Sequence, residues 1–150
     1  MTNGYIDAAK NFDKCRIQIL AAISGREDAA MREIEAVTKA LREAGHYVVS
    51  PFEICQHINR NLSPNGYWMA CMHECLNSLC CNSIDLALAI NDISGSIGAQ
   101  IEIMVAKKFN ITTYQRYGGL SYLPYSHSAA MIARVLNLLE GNGVWQAIPR

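Results

Sequence analysis

The sequence predicts a doubly wound α/β fold, a parallel sheet of four to five strands with helices on both faces. Short apolar runs alternate with segments of helical period, the pattern of successive βαβ units. The run Ile84 to Asn91 is almost continuously apolar, as suits a strand covered on both faces. The chain has 150 residues, of which 51% are hydrophobic and 17% charged, enough for one well-cored domain over 1–150 and too apolar for general disorder.

Met1 to Lys14 is polar and without clear period, and reads as a loose arm or short helix. Cys15 to Ala22 is the first strand, and Ile23 to Asp28 a loop whose Asp28 suits a helix N-cap. From Ala29 to Ala44 the apolar positions Met31, Ile34, Val37 and Leu41 recur every three or four residues, an amphipathic helix that Gly45 ends as C-cap. His46 to Ser50 is a second short strand stopped by Pro51. Phe52 to Gly66 is mixed, with room for a short helix and a loop over a pocket, and Tyr67 to Cys81 is the second long helix.

Ile84 to Asn91 forms the third strand, Gly98 to Phe109 the next helix and Asn110 to Gln115 the fourth strand. Arg116 to Tyr125 reads as a loop, Ser126 to Leu139 as the last helix and Gly141 to Arg150 as a tail. The architecture is flavodoxin- or Rossmann-like, and such sheets bind ligands beyond the carboxyl ends of their strands, where strand order reverses. Loops Ile23 to Asp28, Phe52 to Gly66 and Asn91 to Ile97 are expected to meet there.

The formal net charge is +0 and the basic residues are scattered, which argues against a nucleic-acid polymer as partner. No stretch has the charge and apolar pattern of a signal peptide, and no apolar run is long enough to span a bilayer. A cytoplasmic protein with no membrane partner is predicted, and its six cysteines then read as free thiols. Cys71, Cys75 and His73 have a superficial metal-site spacing. However, the two cysteines share a helical apolar stripe with Trp68, Met72 and Leu79, while His73 points elsewhere, so they read as core residues and no metal is expected.

The most informative segment runs Ser94-Gly95-Ser96-Ile97-Gly98-Ala99-Gln100-Ile101-Glu102. A small, glycine-rich turn between a strand and a helix aims its amides and the helix N-terminus at one spot, an anion cradle. At roughly 100° per residue, Ile101, Met104, Val105 and Phe109 mark the buried stripe of that helix. Glu102 falls on the stripe's border, Ile103 projects outward, and proximity to the helix N-terminus favours the ionised carboxylate. Two readings follow for Glu102: complement to the helix dipole, or a carboxylate at a pocket edge that attacks carbon or steadies a cation.

Ser96-x-Gly98-x-x-x-Glu102 after an apolar strand resembles the signature of the nucleoside 2-deoxyribosyltransferase superfamily, including its nucleotide N-glycoside hydrolases. The resemblance spans roughly Cys15 to Tyr114. It includes Ile23-Ser24-Gly25-Arg26-Glu27-Asp28 opening a helix that ends Ala44-Gly45-His46, and the Glu74 helix followed by Asn82 and a strand. It implies Glu102 as the nucleophile on the anomeric carbon of a nucleotide and Glu74 as the auxiliary acid. A serine six positions before the glutamate, here Ser96, implies a ligand for a 5′-phosphate. Ser94, Gly98, Ala22, Ile23 and Arg26 complete the implied substrate-binding set, although Arg26 also fits a loop salt bridge.

The chain departs from that family in four places: Ala21-Ala22 replaces a Gly-Pro or Gly-Ser pair, Gln18 lies near an expected tyrosine, Asn82 replaces an acidic residue, and the stretch from Glu74 to Glu102 runs longer than in the small hydrolases. The resemblance implies no cofactor and a homodimer or higher homo-oligomer. Its reaction is cleavage of a (deoxy)nucleoside 5′-monophosphate at the base–sugar bond. Deoxyribosyl transfer, nucleotide binding without turnover, and a purely structural or interaction role for the chain, with the aromatics of the Tyr114 to Tyr125 loop as a partner surface, are the alternatives.

Overall fold

A computed structural model describes residues 14–115 and 127–141. In chain order the elements are β1 (Arg16–Leu20), α1 (Glu27–Glu43), β2 (Tyr47–Val49), α2 (Pro51–Ile54), α3 (Pro64–Cys81), β3 (Leu86–Ala89), α4 (Ile97–Lys108), β4 (Thr112–Gln115) and α5 (His127–Gly141). The four strands form one all-parallel sheet in the order β2-β1-β3-β4. The predicted doubly wound α/β architecture is what the chain adopts. Strand order reverses between β1 and β3, so the loops after these two strands flank the crevice of such a sheet. The expected N-terminal arm, the Arg116 to Tyr125 loop and the tail beyond Gly141 lie outside the described residues.

Alternation along β1 divides the core. Ile17 and Ile19 enter the cluster built with Ala30, Ile34, Val37 and Leu41 of α1 and Val135 and Leu139 of α5. Gln18 and Leu20 face the opposite way, and Leu20 joins Ala87, Ala89, Leu79 of α3 and Ala99 and Ala106 of α4. Among the described residues no helix is long and apolar enough to cross a membrane.

Several element ends differ from expectation for local reasons. The chain leaves α1 through a Schellman motif: Gly45 N–H donates to the Arg42 carbonyl at 2.9 Å, and His46 N–H donates to that of Leu41 at 3.1 Å. Gly45 takes φ +95° there, as predicted for the residue ending this helix. At the other end, Arg26 rather than Asp28 is the N-cap, and Asp28 sits in the first turn. Helix α3 starts at Pro64, three residues before Tyr67, because the Ser63 hydroxyl accepts from Gly66 N–H at 3.1 Å and Pro64 suits the first helical position.

The largest correction concerns the rotation of α4. Ala99, Glu102 and Ala106 are its buried residues, Ile103 packs on the core, and Met104 and Phe109 are exposed. A helix that is apolar nearly all round does not announce its inner face. Close packing decides instead, and here it takes Ala99 and Ala106 inward and Glu102 with them.

Candidate active site

Gln18 is a polar residue flanked by Ile17 and Ile19 in the middle of β1, and it is only 1% exposed. Its amide nitrogen donates to the Cys75 carbonyl at 2.9 Å and reaches Glu102 Oε2 at 3.4 Å. The Gln18 Oε1 acceptor is buried without a partner among the described residues. Glu102, 8% exposed, thus lies inside the α3–α4 layer rather than at a stripe border.

Its ionisation differs from expectation as well. Burial pushes the carboxyl up to about 8, the Gln18 hydrogen bond opposes that rise, and negative charge on Cys55 adds to it. Desolvation therefore outweighs the helix N-terminus, and the carboxyl is mostly protonated at neutral pH. A carboxyl sheltered this way, with one long hydrogen bond and no cation against it, is characteristic of chemical sites rather than of structural ion pairs.

Cys55 is the C-cap of α2, and charge on it raises the proton affinity of Glu102. Cys75 is buried and senses the charge of Glu102. Cys55 also senses the charge of Glu74. Glu74 is partly exposed, with Oε1 3.9 Å from His57 Nε2. Sequence reasoning treated Cys71 and Cys75 as core residues and assigned Cys55 nothing; α2 and α3 pack together only in the folded chain. Among the described residues no group of three or more His, Cys, Asp or Glu side chains could hold a metal ion.

The turn before α4 is built as expected in its main outline. Ser96 is the N-cap, its hydroxyl oxygen accepting from Ala99 N–H at 3.2 Å while its own proton remains available to donate. The Ser94 backbone is already committed, its N–H donating to Asp92 Oδ1 at 3.0 Å. Gly98 stands where α4 crosses α3, since a Cβ there would meet Met72 Sδ at 3.0 Å and Trp68 Cζ2 at 3.7 Å. Its glycine identity lets the first turn of α4 approach α3 and so sets the depth of Glu102, one turn on.

Across the crevice, Asn91 ties the two switch-point loops together. Its Oδ1 accepts from Ala22 N–H at 2.8 Å, and its Nδ2 donates to the Ala22 carbonyl at 3.2 Å and to Glu33 Oε1 at 2.9 Å. Arg26 forms a two-pronged ion pair with Glu33 at 2.8 and 3.0 Å and also donates to the Ala22 carbonyl at 3.1 Å. Burial works against charge on Glu33, but the bonds from Arg26 and Asn91 prevail and hold its carboxyl below the usual range. Of the two readings open for Arg26, it thus occupies the salt bridge. Ala22 offers no free backbone group on this side, whereas the Ile23 carbonyl accepts from Arg26 N–H at 2.9 Å and turns the loop.

Asn82, at the end of α3, accepts from Arg16 Nε through its carbonyl at 2.7 Å. It therefore works as a strand anchor at the far end of β1. A groove of about 300 Å³ lies between α1 and α2, lined by Ile34, Thr38, Arg42, Phe52 and Glu53 among others. It contains none of the predicted site residues.

The profile of a domain of unknown function, DUF4406, matches residues 15–114. No curated protein and no solved structure matches the chain.

Proposed function

We propose that this chain, which belongs to the DUF4406 family, cleaves the base–sugar bond of a (deoxy)nucleoside 5′-monophosphate through Glu102. The observation that carries the reading is the buried, weakly partnered Glu102 carboxyl, one helical turn after the Ser96 cap of α4 and beside the sheet's switch point. Burying such a group costs stability, and chemistry on a developing cation is a return for it.

In this mechanism the sugar lies over Glu102 with its 5′-phosphate toward the first turn of α4. The Ser96 hydroxyl and the open amides of that turn donate to the phosphate. Ionised Glu102 attacks C1′, the C1′–N bond breaks, and the departing base takes a proton from Glu74. Water then attacks C1′ of the glycosyl ester and gives its proton to the Glu74 carboxylate, and the C1′–O bond to Glu102 breaks, releasing the sugar phosphate and freeing the carboxylate. The unpartnered Gln18 oxygen is an acceptor for a sugar hydroxyl. No metal or organic cofactor takes part. A homo-oligomer belongs to the same proposal, supported by an apolar outer face on which Ile97 and Met104 are 72% and 70% exposed and by Met69 at 59% on the adjoining α3.

One feature favours a second reading. The Asp92 carboxylate stands in the turn that would face the phosphate, which suits a neutral 5′-hydroxyl and hence a nucleoside substrate. Incubation with matched panels of nucleosides and 5′-monophosphates, with free base measured by chromatography, separates the two. Base release from monophosphates alone is expected, rising about tenfold per pH unit below 8 as Glu102 ionises. Release from nucleosides alone assigns the second reading. Nucleotide retained intact, with no base from either panel, assigns a binding role and overturns the glycosidase.

A further inference from the structure

We propose that the groove between α1 and α2 binds a neutral, flat heterocycle, a one- or two-ring molecule with a hydrogen-bond donor and acceptor on its edge. The groove forms where the chain leaves β2 through Ser50 and turns into α2. Its volume of about 300 Å³ stands at the lower end of the range for small-molecule pockets. None of the residues assigned to the glycosidase lines it, and the proposal does not rest on that reading.

One side chain carries the inference. Thr38 of α1 lines the groove and is only 6% exposed, yet its hydroxyl oxygen has no hydrogen-bond partner among the described residues. A helical threonine can settle its hydroxyl on a carbonyl one turn back, and a buried hydroxyl left without a bond costs stability. Ser50 lines the same groove from the other element and is also buried. It is the N-cap of α2, but its side chain makes no capping bond. Two hydroxyls, one without any bond and one without the bond its position invites, can each donate or accept.

The rest of the lining sets the class of occupant. Met31, Ile34 and Phe52 give apolar surface, and thioether and aromatic side chains both pack well on a ring. Glu35, Lys39, Arg42 and Glu53 contribute two charges of each sign, so the groove has no net charge. Arg42 is moreover spent. Its Nη1 and Nη2 donate to the Glu53 carboxylate at 2.8 and 2.6 Å, and Nη2 donates also to the Val48 carbonyl at 2.9 Å. A guanidinium pinned in this way offers a flat face for stacking rather than a fork for a phosphate or carboxylate. Apolar surface, two hydroxyls and a neutralised arginine suit an uncharged ring with a polar edge. Adenine and uracil are probes of that chemistry, one for each ring count.

The isotope-labelled full chain is titrated with adenine and with uracil while its amide resonances are followed by NMR, with benzoate and inorganic phosphate as anionic controls. Saturable shifts are expected at the amides of Ile34 to Arg42 and of Ser50 to Gln56 with at least one base. Thr38→Val keeps the shape and removes the hydroxyl, and is expected to weaken that binding about tenfold. Shifts confined to Ser96 and Glu102 place the base in the catalytic crevice alone and overturn the proposal. An equal response to benzoate or phosphate, silence toward both bases, or wild-type affinity in Thr38→Val overturns it too. Shifts at the groove that follow protein concentration with no base present assign it to a second copy of the chain, against the proposal. The wild-type titration decides the question even where Thr38→Val fails to fold.

Discussion

The two faces of the sheet are built to different ends, although the same four strands supply both. Toward α1 and α5 the strands present Ile17, Ile19, Val48, Leu86 and Leu88, a dry apolar layer. Toward α3 and α4 they present Gln18, Ala87 and Ala89, and there the helices bring in Glu102 and Cys75. Small strand residues let α4 settle close, and that closeness strips water from a carboxyl. One layer gains stability from burial; the other gives up part of it to hold a titratable group in a dry place.

The sharpest way to break this contrast is Glu102→Gln. The amide keeps the shape and loses the nucleophile, so base release is expected to fall about a thousandfold or more. Base release at the wild-type rate removes Glu102 from the chemistry. The same substitution is expected to raise stability, with a definite pH dependence. The folded-state value of Glu102, about 8, lies above its ordinary 4.5, so the folded protein holds the proton more tightly than the unfolded chain. Its favourable contribution is complete below 4.5 and is lost as pH rises to 8, at about 1.4 kcal/mol per pH unit. Denaturant melts at pH 5 and pH 8 should therefore show the variant gaining on the wild type at the higher pH; parallel curves would remove the burial penalty.

On the dry face, Ile19→Ala should cost about 3 kcal/mol by cavity formation while base release per folded molecule stays unchanged. Equal loss of activity and stability would show that the two layers are not separable. Ser96→Ala removes the cap of α4 and is expected to cost about 1 kcal/mol while weakening monophosphate binding more than nucleoside binding. Equal affinities for both would detach Ser96 from the phosphate. Met104→Lys is expected to change folding stability least, within about 0.5 kcal/mol, yet to shift light scattering toward monomer. An unchanged mass would release the outer face of α4 from self-association.

The same contrast explains what could be read from the sequence. The strands and the α1 layer were legible because their signals are local: an apolar run, a strongly amphipathic helix, and Gly45 closing it. Even there Met31 proved exposed, while Ala30 and Glu33 took the inner positions. The α4 layer was legible only in its motif. Ser96 stands at the head of the helix its motif opens, but apolar side chains surround that helix, so neither its rotation nor the burial of Glu102 followed from period. Gln18 carried a readable signal, an amide between Ile17 and Ile19, that was taken only as a departure from a resemblance. Cys55 carried none, since α2 and α3 pack together only in the folded chain.

The paired bonds between Asn91 and Ala22 have a consequence of their own. A side-chain amide there offers its neighbour the same donor and acceptor as a peptide group, so the ladder joining β1 and β3 continues one counterfeit rung past the last true residue of β3. The floor between the two loops is thereby stiffened by a single side chain whose two ends cannot be swapped for like atoms. Aspartate in its place would turn an oxygen toward the Ala22 carbonyl and toward Glu33, and the rung would become a wedge.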